Sequence, residues 1–458
     1  MSWPATLLVE LTAELTLFAS AAYLLLGAED FIHDLCFFGR AAWRELTVYS
    51  VTARATAPGL VGGRTSGWMA LFVPAWKEAA VIETMLRTTL ERVDHDDYRI
   101  FVGFYRNDPA TREAIDRVED PRVVKVEVDA DGPTSKADCL NRLHGALVGY
   151  ELAIDRRAKA VILHDAEDVV HSLELRLFDR FVEHAGAVQL PVVPLLDRSS
   201  PWVAGHYADE FAEAHGKNLV VREAIGAAIP LAGVGCAIER AALARLAARR
   251  DGQPFMTDSM TEDYELGLRL GAMGVRTMFV RLPARPDGSG LVATRSHFPA
   301  TVAEAVRQKG RWIGGIAFAG WDRLGWHGAA GERWMRLRDR RAPFATFVML
   351  VGYLVALLWA QVALAMALGA PVSVRFSPML GWMLGLNAFF LGWRLAMRAG
   401  FTARQYGLVE GIRAIPRTLV SNWVAILAVR KAYAEHEAGG PRRWDKTDHH
   451  FPAEIPDE

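Results

Sequence analysis

The sequence predicts an α/β domain with a mostly parallel sheet, flanked by transmembrane helices toward both ends. Three observations carry this reading. Between residues 67 and 300, short β-branched or aromatic runs alternate with helical patterns, the rhythm of strand–helix–strand units. Long apolar segments lie near both termini. One apolar run, Val161-Ile-Leu-His164, breaks abruptly into Asp165-Ala-Glu167-Asp168, as a buried strand does when its end opens into a cleft.

At 458 residues, 51% of them hydrophobic, the chain exceeds one ordinary domain and has ample material for a core. A net charge of -1 gives no reason to expect nucleic acid as a partner. Cys36, Cys139 and Cys236 are odd in number and widely scattered, without zinc-type spacing, which fits a reducing compartment. Fourteen tryptophans and a positive mean hydropathy point toward a membrane component.

In chain order, residues 1–27 read as an N-terminal anchor. Glu10 and Glu14 are four apart and share one helix face, expected to turn away from lipid. Ala19-Ser20-Ala21 resembles a cleavage site, but no Lys or Arg precedes the apolar region, so a retained anchor is expected. Residues 28–66 form an amphipathic connector with a Gly-rich piece, Gly59-Leu-Val-Gly-Gly-Arg. Strands are predicted at 68–73, 99–104, 123–128 and 160–164, with further ones at 187–193 and 276–280. Helices fall at 79–93 and 136–154. Together they make a domain over 67–300, followed by interfacial helices at 301–342.

A hairpin over 343–399 then supplies two spans, at 344–370 and 376–399. The second contains Asn387, and its Arg394 has to snorkel. Within 400–436 the apolar stretch 418–429 is short for a span, which predicts an interfacial helix, with a third C-terminal span as the alternative. Residues 437–458 form a tail. Arg40, Arg44, Arg54 and Arg64 follow the first span, and Arg333, Arg336, Arg338, Arg340 and Arg341 precede the second. The short loop between the last two spans has only Arg375. This asymmetry predicts a cytoplasmic domain and tail in a multi-pass protein, with the N-terminus outside.

Chemistry-bearing residues recur where strands end and helices begin. Pro74-Ala-Trp76-Lys77-Glu78 follows the first strand, where a nucleotide meets the sheet edge. Trp76 offers a stacking face and Glu78 an acceptor; a Pro-led turn with Glu78 in the first helical turn accounts for the same residues. Asp108 after the second strand suits a base or ribose, or a helix cap with Pro109 at N1. In Asp131-Gly-Pro-Thr-Ser135-Lys136-Ala-Asp138, helix N–H groups and Lys136 suit a phosphate, with Ser135 as a plain cap in the alternative. The Walker A frame is missing.

Asp165 and Glu167, two apart in extended chain, point the same way and suit one Mg²⁺ or Mn²⁺; the same acids also suit a helix start. The glycines of Ala232-Gly-Val-Gly235-Cys236 let backbone approach something closely. Thr261-Glu262-Asp263 reads as a capped helix, or as a cleft in which Asp263 is a general base. In Gln308-Lys-Gly-Arg311-Trp312, Arg311 suits a diphosphate and Trp312 a sugar ring, against the alternative of an interfacial belt.

In this fixed order, the motifs resemble those of the family 2 glycosyltransferases, membrane-anchored enzymes with a Rossmann-like A-type domain. The words Gly132-Pro-Thr-Ser-Lys-Ala-Asp-Cys-Leu-Asn141, His164-Asp-Ala-Glu-Asp-Val-Val170, Tyr207-Ala-Asp-Glu-Phe-Ala-Glu213 and Trp444-Asp-Lys-Thr resemble the inner-membrane glycosyltransferase subunits of phage-adsorption receptor systems. The resemblance covers roughly residues 67–451. It implies inverting transfer from a nucleotide sugar, usually a UDP-sugar, to a hydroxyl of a glycan or lipid-linked acceptor at the bacterial inner membrane, in exopolysaccharide or envelope glycan synthesis.

Carried over residue by residue, Glu78 and Asp108 contact the nucleoside, with Pro74 and Trp76 in the same word, and Lys136 the diphosphate side. Asp165 and Glu167 hold the metal with Asp168 nearby. Asp263, in its word with Glu262, deprotonates the acceptor, and Gln308, Arg311 and Trp312 close over the site. Asp-Ala-Glu stands where many relatives have Asp-x-Asp, which leaves Glu167 and Asp168 as rival second ligands. Relatives often carry a C-terminal cyclic-di-GMP-responsive domain; the chain stops soon after Trp444, so such regulation is expected from a partner or not at all. Three spans make a meagre channel, so polymer export would need further subunits or an outer-membrane or periplasmic partner. The alternative reading is a catalytically silent membrane scaffold or phage-receptor subunit of the same fold.

Overall fold

The computed structural model describes residues 3–60, 63, 65, 67–370, 376–439 and 449–455. Arg64, Arg375, Trp444-Asp-Lys-Thr and part of the Gly-rich piece lie outside them. The chain begins with helix α1 (Trp3–Thr47), then β1 (Trp68–Pro74), α2 (Ile82–Arg92), β2 (Tyr98–Tyr105), α3 (Pro109–Asp116), β3 (Val123–Val128), α4 (Lys136–Ile154) and β4 (Ala158–Leu163). Next come α5 (Glu174–Phe181), β5 (Ala187–Gln189), β6 (Val192–Pro194), α6 (Val203–Glu213), α7 (Leu219–Ala224), β7 (Cys236–Glu239), α8 (Arg240–Ala248), α9 (Glu262–Ala272), β8 (Thr277–Phe279) and β9 (Thr294–Ser296). Helices follow: α10 (Val302–Ile313), α11 (Gly320–Leu324), α12 (Ala330–Arg340), α13 (Ala342–Ala367), α14 (Pro378–Tyr406) and α15 (Leu408–Ala438).

Seven strands form one sheet in the order β3-β2-β1-β4-β7-β5-β8, parallel except for β7, which runs antiparallel to both neighbours. β1 is buried on both faces. Met69, Leu71 and Val73 enter one core cluster, and Trp68, Ala70 and Phe72 the other. That period of two, with helices over each face, is why the strand reads as a continuous apolar run. The mostly parallel α/β fold is the one the sequence predicts.

Four local expectations change. The strand expected at 187–193 is two strands in two sheets: β5 joins the main sheet and β6 pairs with β9. Pro191 stands at the break, where its missing N–H cannot continue a ladder. β7 lies where the sequence suggested only a glycine-rich loop before a helix. α2 begins at Ile82, so Glu78 stands in the turn before it and not in its first turn. α1 runs unbroken through residues 28–47, expected as connector.

Among the described residues, three helices are long and apolar enough to cross a membrane, in Leu7–Thr47, Ala342–Ala367 and Leu408–Ala438. α14, the expected second limb of the hairpin, is 29 residues long but not among them, because Asn387 and Arg394 lower its hydropathy. Both side chains reach α1: Asn387 Nδ2 donates to Ser20 O at 2.9 Å, and Arg394 Nη1 to Asp30 at 2.9 Å. Glu10 and Glu14 do share a face, but it is the exposed one. The packed face of α1 carries Thr12, Thr16 and Ala19, and Trp359 Nε1 donates to Thr16 Oγ1 at 2.8 Å.

Glu29 and Asp30 then meet Arg338, Arg341 and Arg394. Arg338 and Arg341, two arginines of the expected positive flank, are thus bound to acids of α1. α15 buries Gly411, Ala414, Arg417, Ser421, Val424 and Ala428 on one side, while Leu408, Ile412, Ile415, Leu419 and Trp423 stay exposed.

Candidate active site

The exits of β1 and β4 face the starts of α4 and α9, as parallel strands require at their C-terminal edge. A cavity of about 1300 Å³ opens there. Pro74, Glu78, Lys136, Asp165, Glu167, Asp168, Glu262, Asp263, Gln308, Arg311 and Trp312 all line it. Trp76 and Asp108 do not. Trp76 is buried against Tyr105 and beneath Gly132, where an added Cβ would lie 2.4 Å from its ring, so it offers no open stacking face. Asp108 caps α3, its side chain accepting from Thr111 N, and its other oxygen accepts from Lys77 N at 2.5 Å. It holds the Glu78 turn in place.

Ser135 and Asp138 form a reciprocal capping box at the start of α4. The cap fixes the helix and thereby aims the next residue, Lys136, whose Nζ lies 2.5 Å from Asp165 Oδ1. Burial pulls the Lys136 pKa down, but Asp165, Glu262 and Asp263 outweigh it and hold the ammonium charged. The carboxyls respond in kind. Burial first, then the Asp263 charge, raises Glu262, and burial raises Asp263 against the opposing pull of Lys136. Thr261 is the N-cap of α9 but makes no side-chain cap bond. Gly233 adopts φ +75°, and a Cβ there would lie 2.6 Å from Asp263 Oδ2. This is the close approach that the glycines suggested.

Asp165-Ala-Glu167-Asp168 separates into different jobs. Asp168 Oδ2 accepts from Asp165 N at 2.9 Å and faces His164 Nδ1 at 3.1 Å. His164 Nε2 in turn lies 2.8 Å from Glu174. Burial works against a charge on His164, but Glu174 and Asp168 raise it to about 10, so the imidazolium braces the turn. Glu167 faces the other way. Its Oε2 is buried and accepts no hydrogen bond from the described residues, with His449 Nδ1 3.2 Å away in an ion pair. Burial raises its pKa, with Asp165, Asp168 and Glu78 adding to the effect against His449. A buried carboxylate oxygen beside further oxygen ligands fits a divalent cation.

Sequence reasoning missed His449, which also lies 3.0 Å from Glu78 Oε1. The only signal was its place just after the Trp444-Asp-Lys-Thr word. On α10, Trp312 packs edge-on to Tyr207 at 6.2 Å and near Phe211 at 6.4 Å. That aromatic box places the indole at the cavity wall.

A family model described as glycosyltransferase like family 2 matches residues 66–315. Bacteriophage adsorption protein B of Escherichia coli (strain K12) is 35% identical over 454 residues, covering 93% of this chain and 60% of that protein. Bacteriophage N4 adsorption protein B of Escherichia coli O157:H7 matches to the same extent. The chain therefore spans about 60% of the length of these relatives. Among solved structures, glucosyl-3-phosphoglycerate synthase from Mycobacterium tuberculosis with phosphoglyceric acid has a TM-score of 0.34 and 16% identity, over 58% of this chain and 82% of that one. The same enzyme with Mn²⁺, UDP-glucose and phosphoglyceric acid has a TM-score of 0.29 and 18% identity, over 47% and 70%. Since the family match takes in more than half of the residues, the chain belongs to the family 2 glycosyltransferases, in a membrane-anchored form.

Proposed function

We propose that the protein is an inverting transferase acting on a nucleotide sugar, a UDP-sugar. The acceptor is a hydroxyl of a glycan or lipid-linked molecule at the cytoplasmic face of the inner membrane. The observation that carries this is the single cavity shared by Glu78, Lys136, Asp165, Glu167, Asp263, Arg311 and Trp312. Glu78 takes the nucleoside side of the donor. Lys136 and Arg311 offset the diphosphate charge, and Trp312 stacks on a sugar. Asp263, its pKa raised by burial, accepts the proton of the acceptor hydroxyl as that oxygen bonds to the anomeric carbon. Attack opposite the departing diphosphate inverts the configuration and needs no covalent intermediate. Asp165 and Glu167 are the residues that would hold Mg²⁺ or Mn²⁺, which supplies positive charge toward the diphosphate when bound.

In the same reading, the exposed row on α15 lies in the membrane interface and sets the cavity close to the bilayer, within reach of a lipid-linked acceptor. The test is UDP release by purified protein from a UDP-sugar in Mn²⁺. Asp263→Asn is expected to lower turnover by about 10²–10⁴; undiminished release would remove Asp263 from this role. The names of the adsorption-protein relatives favour one second reading, a membrane scaffold or phage-receptor subunit. It wins if a panel of nucleotide sugars neither shifts the melting temperature nor turns over while a partner still co-purifies.

A further inference from the structure

His449 reaches the cavity from the far end of the chain, 371 residues from Glu78. Its Nδ1 lies 3.0 Å from Glu78 Oε1 and 3.2 Å from Glu167 Oε2. Donor atoms of Glu78, Glu167 and His449 all fall within 4.8 Å of one another, the cluster of this kind among the described residues. In octahedral coordination with bonds of about 2.1 Å, adjacent ligands stand about 3.0 Å apart. The two nitrogen–oxygen separations therefore match the edges of such a shell. Two residues on, Phe451 packs against the main hydrophobic core, which gives the segment a second hold.

We propose that His449 is a ligand of the divalent cation together with Glu78 and Glu167, so that ion binding fastens segment 449–455 onto the catalytic domain. The proposal rests on the reading of the cavity as a metal-assisted donor site. It adds a ligand from outside the 66–315 family region and shifts Glu78 from the nucleoside to the ion. It also sets the metal preference. Imidazole is a poor partner for Mg²⁺, which favours oxygen, whereas a mixed nitrogen and carboxylate set suits Mn²⁺ or a later transition metal. The competing account is a clasp only, with an imidazolium sitting between two carboxylates and leaving when a cation arrives.

Pulsed EPR of Mn²⁺ on the full-length protein in detergent separates these accounts without any turnover. The expected spectrum shows ¹⁴N coupling from a directly bound imidazole. His449→Gln should abolish it and weaken Mn²⁺ binding about tenfold. Loss of Mn²⁺ binding in Glu167→Gln, with no nitrogen coupling in the wild type, would overturn the proposal and leave the donor-site reading standing. Nitrogen coupling that persists in His449→Gln would assign the ligand to another histidine and also overturn it. Mn²⁺ binding unchanged in Glu167→Gln would sink both the metal-site reading and the proposal.

Discussion

His215 shows how a single residue is committed to one protonation state. It is buried, stacked on Phe211 at 5.2 Å, and its Nδ1 accepts the Val192 N–H at 3.0 Å. Burial first, then the Arg281 charge, pushes it down to about 3. Its unfolded value is about 6.5, so above that pH it is neutral in both states and costs nothing. As pH falls from 6.5 toward 3, the unfolded chain takes up a proton that the folded one refuses, and stability drops by about 1.4 kcal/mol per pH unit. The melting temperature is expected to fall below pH 6.5, and His215→Gln, which keeps an acceptor for Val192, should flatten part of that slope. An unchanged slope would show that the imidazole is not held neutral. The same scale explains Trp76 and Asp108. Their residue types suited a ligand, but a buried indole and a capping carboxylate satisfy the same chemistry within the fold.

At the scale of elements, Gly233 is where a turn meets the acid proposed as the base, Asp263. The Gly233–Gly235 turn feeds β7, and its backbone presses on Asp263. A Cβ at 233 would meet Asp263 Oδ2 and strain a φ of +75°, at a cost of about 1–2 kcal/mol. Gly233→Ala should therefore lower turnover by more than it lowers stability, with Mn²⁺ affinity kept, as measured by UDP release beside a melting curve. Equal loss of both would place the turn in folding alone. β1, β3 and α4 were legible because they are long enough to show their period and end on clear signals such as the Ser135 cap. β7 was not. Four residues, Cys236-Ala-Ile-Glu, show no period, and their antiparallel place between β4 and β5 is set by tertiary pairing. The acids at 165–168 were legible as a group, but their division was not, because it depends on His164, itself held by Glu174, meeting Asp168 from behind. His449 was beyond reach, since no local pattern says which distant cleft a tail will enter.

Across the whole molecule, α6 joins the α/β domain to the long apolar helices, which gives the Tyr207–Glu213 word a structural meaning. Tyr207 packs on Phe298 and Trp312, Glu210 meets Lys309 of α10 at 2.5 Å, and Asp209 meets Arg417 of α15 at 2.7 Å. Arg417 and Asp209 are both fully buried, and Arg417 also pairs with Glu410. Such a pair is weak evidence of net stabilisation, yet removing one partner strands the other, at about 3–5 kcal/mol. Arg417→Met should thus lower the melting temperature sharply and loosen α15 from the domain. The doubly substituted Asp209→Asn, Arg417→Met protein should recover much of the loss, because it leaves less uncompensated charge. Because α10 carries Arg311 and Trp312 and packs along α15, the single variant should also weaken nucleotide-sugar binding, read by thermal shift. If binding survives while stability falls, the joint serves the fold without setting the cavity. If both recover together in the double variant, the helices at the membrane and the acids at the sheet edge form one mechanical unit.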